Sequence, residues 1–161
     1  MDKSMSQKIT PFLWFDGNAE EAANYYVSIF KNSKITDIAH YTGAEPGPKG
    51  TVMTIGFELD GQAFAGINGE PLFKFTEAVS FAVRCKDQAE IDAMWEKLSA
   101  GGEKGPCGWL KDKFGLSWQV VPDFLIETLA KGDTEKSARV MAAVMKMSKL
   151  DLATLKAAAA G

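Results

Sequence analysis

The chain has 161 residues, of which 46% are hydrophobic and 24% charged, with a formal net charge of −3. That is enough chain, with enough apolar residues, to bury a core without disulfide or metal staples. The acidic balance and the lack of a basic run exclude nucleic acid and anionic membrane surfaces as expected partners. No apolar stretch approaches the roughly 20 residues that a bilayer span takes.

Residues 1–8, MDKSMSQK, are too polar for a secretory signal and read as a disordered tail on a cytoplasmic protein. ITPFLWF is rich in β-branched and aromatic residues and predicts a strand. Asn18 with Glu21 then has capping-box spacing, and Ala19, Ala22, Ala23, Tyr26, Ile29 and Phe30 form one apolar helical stripe. Three strands follow, in SKITDIAHY, TVMTIGFEL and QAFAGIN, the last two joined by Asp60-Gly61, a strong hairpin signal. Glu70 and Glu77 flank the linker GEPLFKFTEA as surface residues.

AVSFAVRC begins a second strand–helix pair, with Asp87 and Glu90 at capping-box spacing and Ile91, Met94, Trp95 and Leu98 at i, i+3, i+4, i+7. GGEKGPCG follows a helix, so its glycines predict a C-cap running into a loop. EKGPCGWLKD and GLSWQVVP are the remaining strand segments, around the turn DKFG. DFLIETL predicts a short helix. Asp133 caps a stronger one, TEKSARVMAAVMKM, whose stripe is Val140, Met141, Val144, Met145 and Met147, and LDLATLKAAAAG reads as a frayed final helix.

The chain repeats itself. PFLWFDGNAEEAANYY and SFAVRCKDQAEIDAMW align at a constant offset of 69, placing Phe12 on Phe81, Asn18 on Asp87, Glu21 on Glu90 and Tyr26 on Trp95. QAFAGIN and GLSWQVVP match in kind, with Gly61 on Gly115 and Phe64 on Trp118. The expected fold is α+β, with paired βαβββ units forming a cupped mixed sheet. One domain is expected over 9–125 (units 9–70 and 78–122), with a C-terminal helical extension over 126–161.

Chemistry-bearing residues are sparse. Cys85 and Cys107 have neither a CxxC pattern nor a histidine cluster and read as reduced thiols, although Cys107 sits in a Gly/Pro loop. His40 is the one histidine and reads as a surface or hydrogen-bonded residue. In GLSWQVVP, Leu116, Trp118 and Val120 alternate with Ser117, Gln119 and Val121, so a polar pair occupies one face of a hydrophobic strand. That face is either solvated or turned into a cavity. Trp14 and Trp118 are expected to face the helices and Trp95 the core, with Trp109 near a pocket mouth.

ITPFLWFDGNAEEAANYYVSIF, FELDGQAFAGING, VSFAVRCKDQAEIDAMWEKL and GLSWQVVPD together resemble the vicinal oxygen chelate superfamily, the glyoxalase, bleomycin-resistance and dioxygenase group. The resemblance is to its PhnB-like branch, some of whose members carry a demethylubiquinone methyltransferase label, and it runs from residue 9 to about 150, including RVMAAVMKMSKLD. It implies a cupped sheet with a small-molecule site, usually in a homodimer. In metal-dependent members four side chains on the first and last strands of each unit hold a divalent ion. Those positions fall here on Pro11, Ala65, Ser80 and Gln119, of which none is a carboxylate or imidazole.

The expectation is therefore a small hydrophobic or aromatic ligand in a homodimer, with no metal and no cofactor and with catalytic residues unknown. The cup-facing candidates are Leu13, Phe15, Ala63, Ala65 and Val121, with Ser80, Arg84, Ser117 and Gln119 as polar groups. Arg84 would share a face with Ser80 and hold a carboxylate or phosphate, unless it turns to solvent or to Asp87. The alternatives are a metal-dependent lyase, isomerase or dioxygenase-type enzyme, and a methyltransferase. For the methyltransferase the chain lacks a Gly-rich loop after a first strand.

Overall fold

The computed structural model describes residues 7–161, which divide into one unit ending at Lys74 and a second running from Phe75 to Gly161. The first unit holds β1 (Phe12–Phe15), α1 (Ala19–Ile29), β2 (Lys34–His40), β3 (Val52–Leu59) and β4 (Gln62–Asn68). The second begins with β5 (Ser80–Cys85), α2 (Gln88–Ser99), β6 (Glu103–Lys104), β7 (Trp109–Lys111) and β8 (Ser117–Pro122). It ends with α3 (Asp123–Ala130), α4 (Thr134–Val144) and α5 (Leu152–Ala160).

Each unit has a four-stranded mixed sheet of the same topology, β1-β4-β3-β2 and β5-β8-β7-β6. The first strand pairs in parallel with the last, and the other pairs are antiparallel. The expected βαβββ unit is thus present twice. Residues 1–6 of the predicted tail lie outside the described residues. Gln7 is held: its amide donates to the carbonyls of Ile9 (2.9 Å) and Ala63 (3.1 Å), and its oxygen accepts from the Ala63 N–H. This makes one more rung beside β4.

The two helix starts differ. Asp87 accepts from the Glu90 N–H at 2.9 Å, and the Glu90 carboxylate accepts from the Lys86 N–H, close to the expected box. Asn18 makes no side-chain cap; the Ala19 N–H donates instead to Asn68 Oδ1 at the end of β4. A partner distant in sequence has replaced the local cap. At the β3–β4 hairpin Asp60 and Gly61 both have positive φ (49° and 81°), the type I′ geometry that Asp-Gly favours.

Asp112 organises the second sheet. Its buried carboxylate (2% exposed) accepts from the N–H groups of Phe114 (2.9 Å) and Leu116 (3.1 Å) through Oδ1 and from Trp118 Nε1 (2.9 Å) through Oδ2. Its own N–H donates to the Leu116 carbonyl, which closes the turn from β7 into β8.

The C-terminal helices share a core with β8: Val121, Leu125, Val140, Val144, Leu150, Leu155 and Ala159 are buried together. The final helix is not frayed. Asp151 caps its start through the Thr154 N–H, and the Arg139 guanidinium donates to the carbonyls of Ala158 (3.0 Å) and Ala159 (2.9 Å) at its end. The apolar stripe of α4 is mostly core, with Val140 and Val144 buried, while Met145 is exposed.

Removing the Asp112 carboxylate would strand three donors, two of them buried, so Asp112→Ala is expected to lower stability by about 3 kcal/mol or more. Asp133→Ala, which removes only a helix cap, is expected to cost about 1 kcal/mol. Urea unfolding of both variants measures the contrast, and equal costs would refute the organising role of Asp112.

Candidate functional site

Each sheet has one face against its helix and one open face. In the second unit the helix side carries Phe81, Val83 and Cys85 of β5 with Trp118 and Val120 of β8, all alternate residues in register. Phe81 and Trp118 meet edge to face at 5.6 Å. The open face therefore carries Ser80, Ala82 and Arg84 with Ser117 and Gln119. Gln119 Nε2 donates to Ser80 Oγ at 3.0 Å, so these two candidates are brought together.

Ser117 is the unusual member of this face. Its hydroxyl is buried (1% exposed) and has no hydrogen-bond partner, a state that ordinarily costs about 1–3 kcal/mol. It lines a cavity of about 230 Å3 with Trp109, Leu110, Pro106 and the rim residues Glu77, Glu103, Lys104 and Lys111. Trp109 is thus at a pocket, as its place after the GPCG loop suggested.

Glu77 and Lys111 form an ion pair across the rim. Each side chain moves the other's titration. The Lys111 hydrogen bond holds the Glu77 carboxyl below its ordinary value, and Glu77 holds the Lys111 ammonium above its own.

Arg84 is not part of this cavity. Its Nε donates to Asp123 Oδ1 at 2.9 Å, with 55% of the arginine side chain and 38% of the aspartate exposed. The partner is the first residue of α3, neither the expected Asp87 nor solvent alone. Val121, an expected cup wall, is covered by the C-terminal helical core instead.

In the first unit the parity expected for β1 is reversed. Leu13 and Phe15 are buried on the helix side: Leu13 pairs with Gly66, and a Cβ on Gly66 would lie 3.3 Å from both Phe15 and Ala19. Trp14 lies on the opposite face, with Nε1 donating to the Glu70 carbonyl (2.9 Å) and its ring edge-on to Phe73 at 5.0 Å. Phe12, Ala63 and Ala65 are on that open face and line a second cavity of about 200 Å3, with Thr10, Thr54, Gly56 and the single carboxylate of Asp37.

The reason is a single residue. Phe15 precedes the N-terminal cap of α1, Asn18, by three residues, whereas its helix-facing counterpart Cys85 precedes Asp87 by two. Gly17, at φ 77°, takes up the extra position. The helices correspond at an offset of 69 but the strands at 70, so Ser80 corresponds to Thr10, not Pro11. Ala65 keeps Gln119 as its counterpart, because Phe12 pairs with Ala65 as Ala82 pairs with Gln119.

The four carried-over positions are therefore Thr10, Ala65, Ser80 and Gln119. Two hydroxyls, an amide and a methyl do not suit a divalent ion, which takes carboxylate, imidazole or thiolate donors to replace its water. Among the described residues no three His, Cys, Asp or Glu side chains gather into a possible metal cluster. His40 is exposed on β2.

The family described as 3-demethylubiquinone-9 3-methyltransferase matches residues 7–121. The chain belongs to this family, the PhnB-like family of the vicinal oxygen chelate superfamily. A PhnB protein of Bacillus cereus, provisionally described as a 3-demethylubiquinone-9 3-methyltransferase, is 41% identical with a TM-score of 0.65, over 72% of this chain and 99% of its own.

Two fosfomycin resistance proteins, both FosX, share the fold. That of Mesorhizobium loti is 15% identical (TM-score 0.55, over 77% of this chain and 97% of its own). That of Listeria monocytogenes, solved with manganese(II) and sulfate, is 17% identical (TM-score 0.55, over 78% and 97%). No curated protein matches. The PhnB-like match ends at Val121, so α3, α4 and α5 lie beyond it, and the expected continuation of the likeness through RVMAAVMKMSKLD is not part of the family match.

The two thiols of this PhnB-like chain differ. Burial, and then the carboxylates of Glu90, Asp123 and Asp87, push the Cys85 thiol up to about 12. Cys107 is half-buried, with its sulfur 3.7 Å from that of Met145. A thiol-exchange reagent at about pH 8 is expected to label Cys107 alone in the native protein and both thiols after unfolding. Because the folded value of Cys85 lies above the ordinary 9.0, it resists ionising where the unfolded thiol does not. Stability should therefore fall as pH rises from about 9 to about 12, and less so in Cys85→Ala.

Proposed function

We propose that this PhnB-like chain binds a small hydrophobic or aromatic molecule on the open faces of its sheets, without a metal ion, as a cytoplasmic homodimer. The observation that carries the reading is the buried, unpartnered hydroxyl of Ser117 in a cavity walled by Trp109 and Pro106. Apolar walls with a few convergent polar groups are the composition of a small-molecule site. An orphaned hydroxyl there loses its penalty when a ligand supplies the missing hydrogen bond. No residue is assigned a catalytic role.

A metal-dependent enzyme of the same superfamily is the second reading, and the manganese(II)-bound FosX structure is the finding in its favour. That likeness is one of fold, and the donor set at Thr10, Ala65, Ser80 and Gln119 opposes it. The methyltransferase reading has the family's description behind it. Against it, the Gly-rich stretch after α2 serves packing: Gly101 has φ 74°, and a Cβ on Gly102 would lie 2.1 Å from the Lys111 carbonyl oxygen. These glycines bring a loop against β7, with no strand before them to present a cofactor.

Elemental mass spectrometry, after dialysis against manganese, iron, cobalt, nickel and zinc, tests the metal-free reading, with a value near zero per chain expected. A value near one would overturn it. Ligand-observed NMR with single-ring aromatic compounds tests binding, which Trp109→Ala is expected to weaken. Light scattering is expected to give twice the chain mass of 17.5 kDa; the single mass would refute the homodimer.

A further inference from the structure

The rim of the Ser117 cavity carries charge that its apolar walls do not explain. Lys111, on β7, pairs with Glu77, three residues before β5; the two side chains are 39% and 59% exposed. Lys104, on β6, pairs with Glu96 of α2 at 3.2 Å, and these side chains are 51% and 64% exposed. Pairs this exposed hold weakly, because water solvates each partner nearly as well as the other does. Glu77 also sits in a stretch with little else to hold it, since Thr76, Ala78 and Val79 are exposed. Its carboxylate occupies the Lys111 ammonium at the rim, with the Ser117 hydroxyl deeper in the same cavity.

Size narrows the occupant. An apolar cavity of about 150 Å3 holds benzene, so about 230 Å3 has room for one ring with a small substituent. The wall offers that ring the face or edge of Trp109 beside Pro106. The polar groups then call for a hydrogen-bonding substituent at Ser117 or an anionic one at Lys111.

From this we infer that the cavity takes a monocyclic aromatic acid, whose carboxylate displaces Glu77 from Lys111 while the ring lies against Trp109. Glu77 is then a built-in competitor, a carboxylate of the protein's own that holds the cationic subsite until a ligand carboxylate replaces it. One carboxylate leaves the ammonium for water as another arrives from water, and because Glu77 stays tethered at the rim the complex carries one more negative charge than the free protein. A neutral ring gains nothing from Lys111, so the pair discriminates acids from their uncharged analogues. Glu103, the other rim carboxylate, excludes dianions by like charge. The inference rests on the aromatic-ligand reading above and adds the charge class and the competing residue.

The test compares benzoate with benzamide, two rings of nearly equal shape, by isothermal titration calorimetry and saturation-transfer NMR. Titration runs to about 20 mM, because ligands this small bind weakly. Benzoate is expected to bind up to about fivefold more tightly than benzamide at low salt, a difference that narrows as salt is added. Lys111→Met should bring the two affinities to within about twofold of each other, whatever their common value. Glu77→Gln should raise the ratio of benzoate to benzamide affinity severalfold, and Ser117→Ala should weaken either ring or both.

Equal affinities in the parent protein, unmoved by Lys111→Met or Glu77→Gln, would overturn the charge assignment and leave aromatic binding standing. Failure of both rings to bind in the parent and in Glu77→Gln would overturn both readings. Glu77 is exposed and Lys111 partly so, and thermal unfolding of each variant confirms that a lost preference is not a lost fold.

Discussion

The second unit depends on one buried carboxylate. Asp112 gathers two backbone N–H groups of its own turn and the indole N–H of Trp118. It therefore sets both where β8 begins and which way its residues face. A strand alternates sides at every residue, and a slip of one would exchange the two faces. With Trp118 tied to Asp112 on the helix side, Ser117 and Gln119 are forced onto the open face. Trp118 would be costly to expose, and its polar edge needs a partner when buried. Asp112 supplies that partner, so the polarity of the open face follows from an interaction on the other side of the sheet.

The first unit reaches the same topology by other means. Its hairpin is an Asp-Gly turn that needs only local φ values, and its helix start relies on Asn68 from β4. Duplicated sequences thus keep the fold while exchanging the devices that hold it. The extra residue at Gly17 shows what that freedom does to a site. One inserted position between strand and helix reverses every side chain of β1, burying Leu13 and Phe15 and turning Phe12 and Trp14 outward. The open face of the first unit is accordingly apolar around Phe12, Ala63 and Ala65, with hydroxyls at Thr10 and Thr54 and the carboxylate of Asp37 at its edge. The open face of the second has Ser80, Ser117 and Gln119, with Glu77 and Glu103 at the cavity rim. Among the described residues neither face gathers three acidic, thiol or imidazole side chains, the kind of cluster that holds a divalent ion.

The helices beyond the family match are an integral layer. They bury Val121 at the end of β8 and hold the GPCG loop, through the Cys107 and Gly108 N–H groups donating to the carbonyls of Met147 and Ser148 at 2.8 Å. That loop leads to Trp109. The added helices thus support one wall of the Ser117 cavity without lining it.

Much of this was written in the sequence because it depends on neighbours. Strand alternation, the Asp-Gly hairpin, the Asp87 and Asp133 caps, the duplication and the polar pair in GLSWQVVP are local patterns, and each led to the right element. The side of the sheet on which β1 shows its residues was not local. It turns on whether two or three residues join strand to helix, and a constant offset drawn from the helices carried the error into Leu13, Phe15, Trp14 and Pro11. The roles of Asp112, Glu77 and Lys111 were equally out of reach. A turn aspartate and two surface charges are ordinary in a chain, and only folding shows that one is buried with three donors and that the others meet across a cavity. Sequence determined which elements form and in what order, because those follow from short-range periodicity and turn chemistry. Tertiary structure decided which faces are open and which polar groups converge on them, because those follow from register and from contacts between residues far apart in the chain.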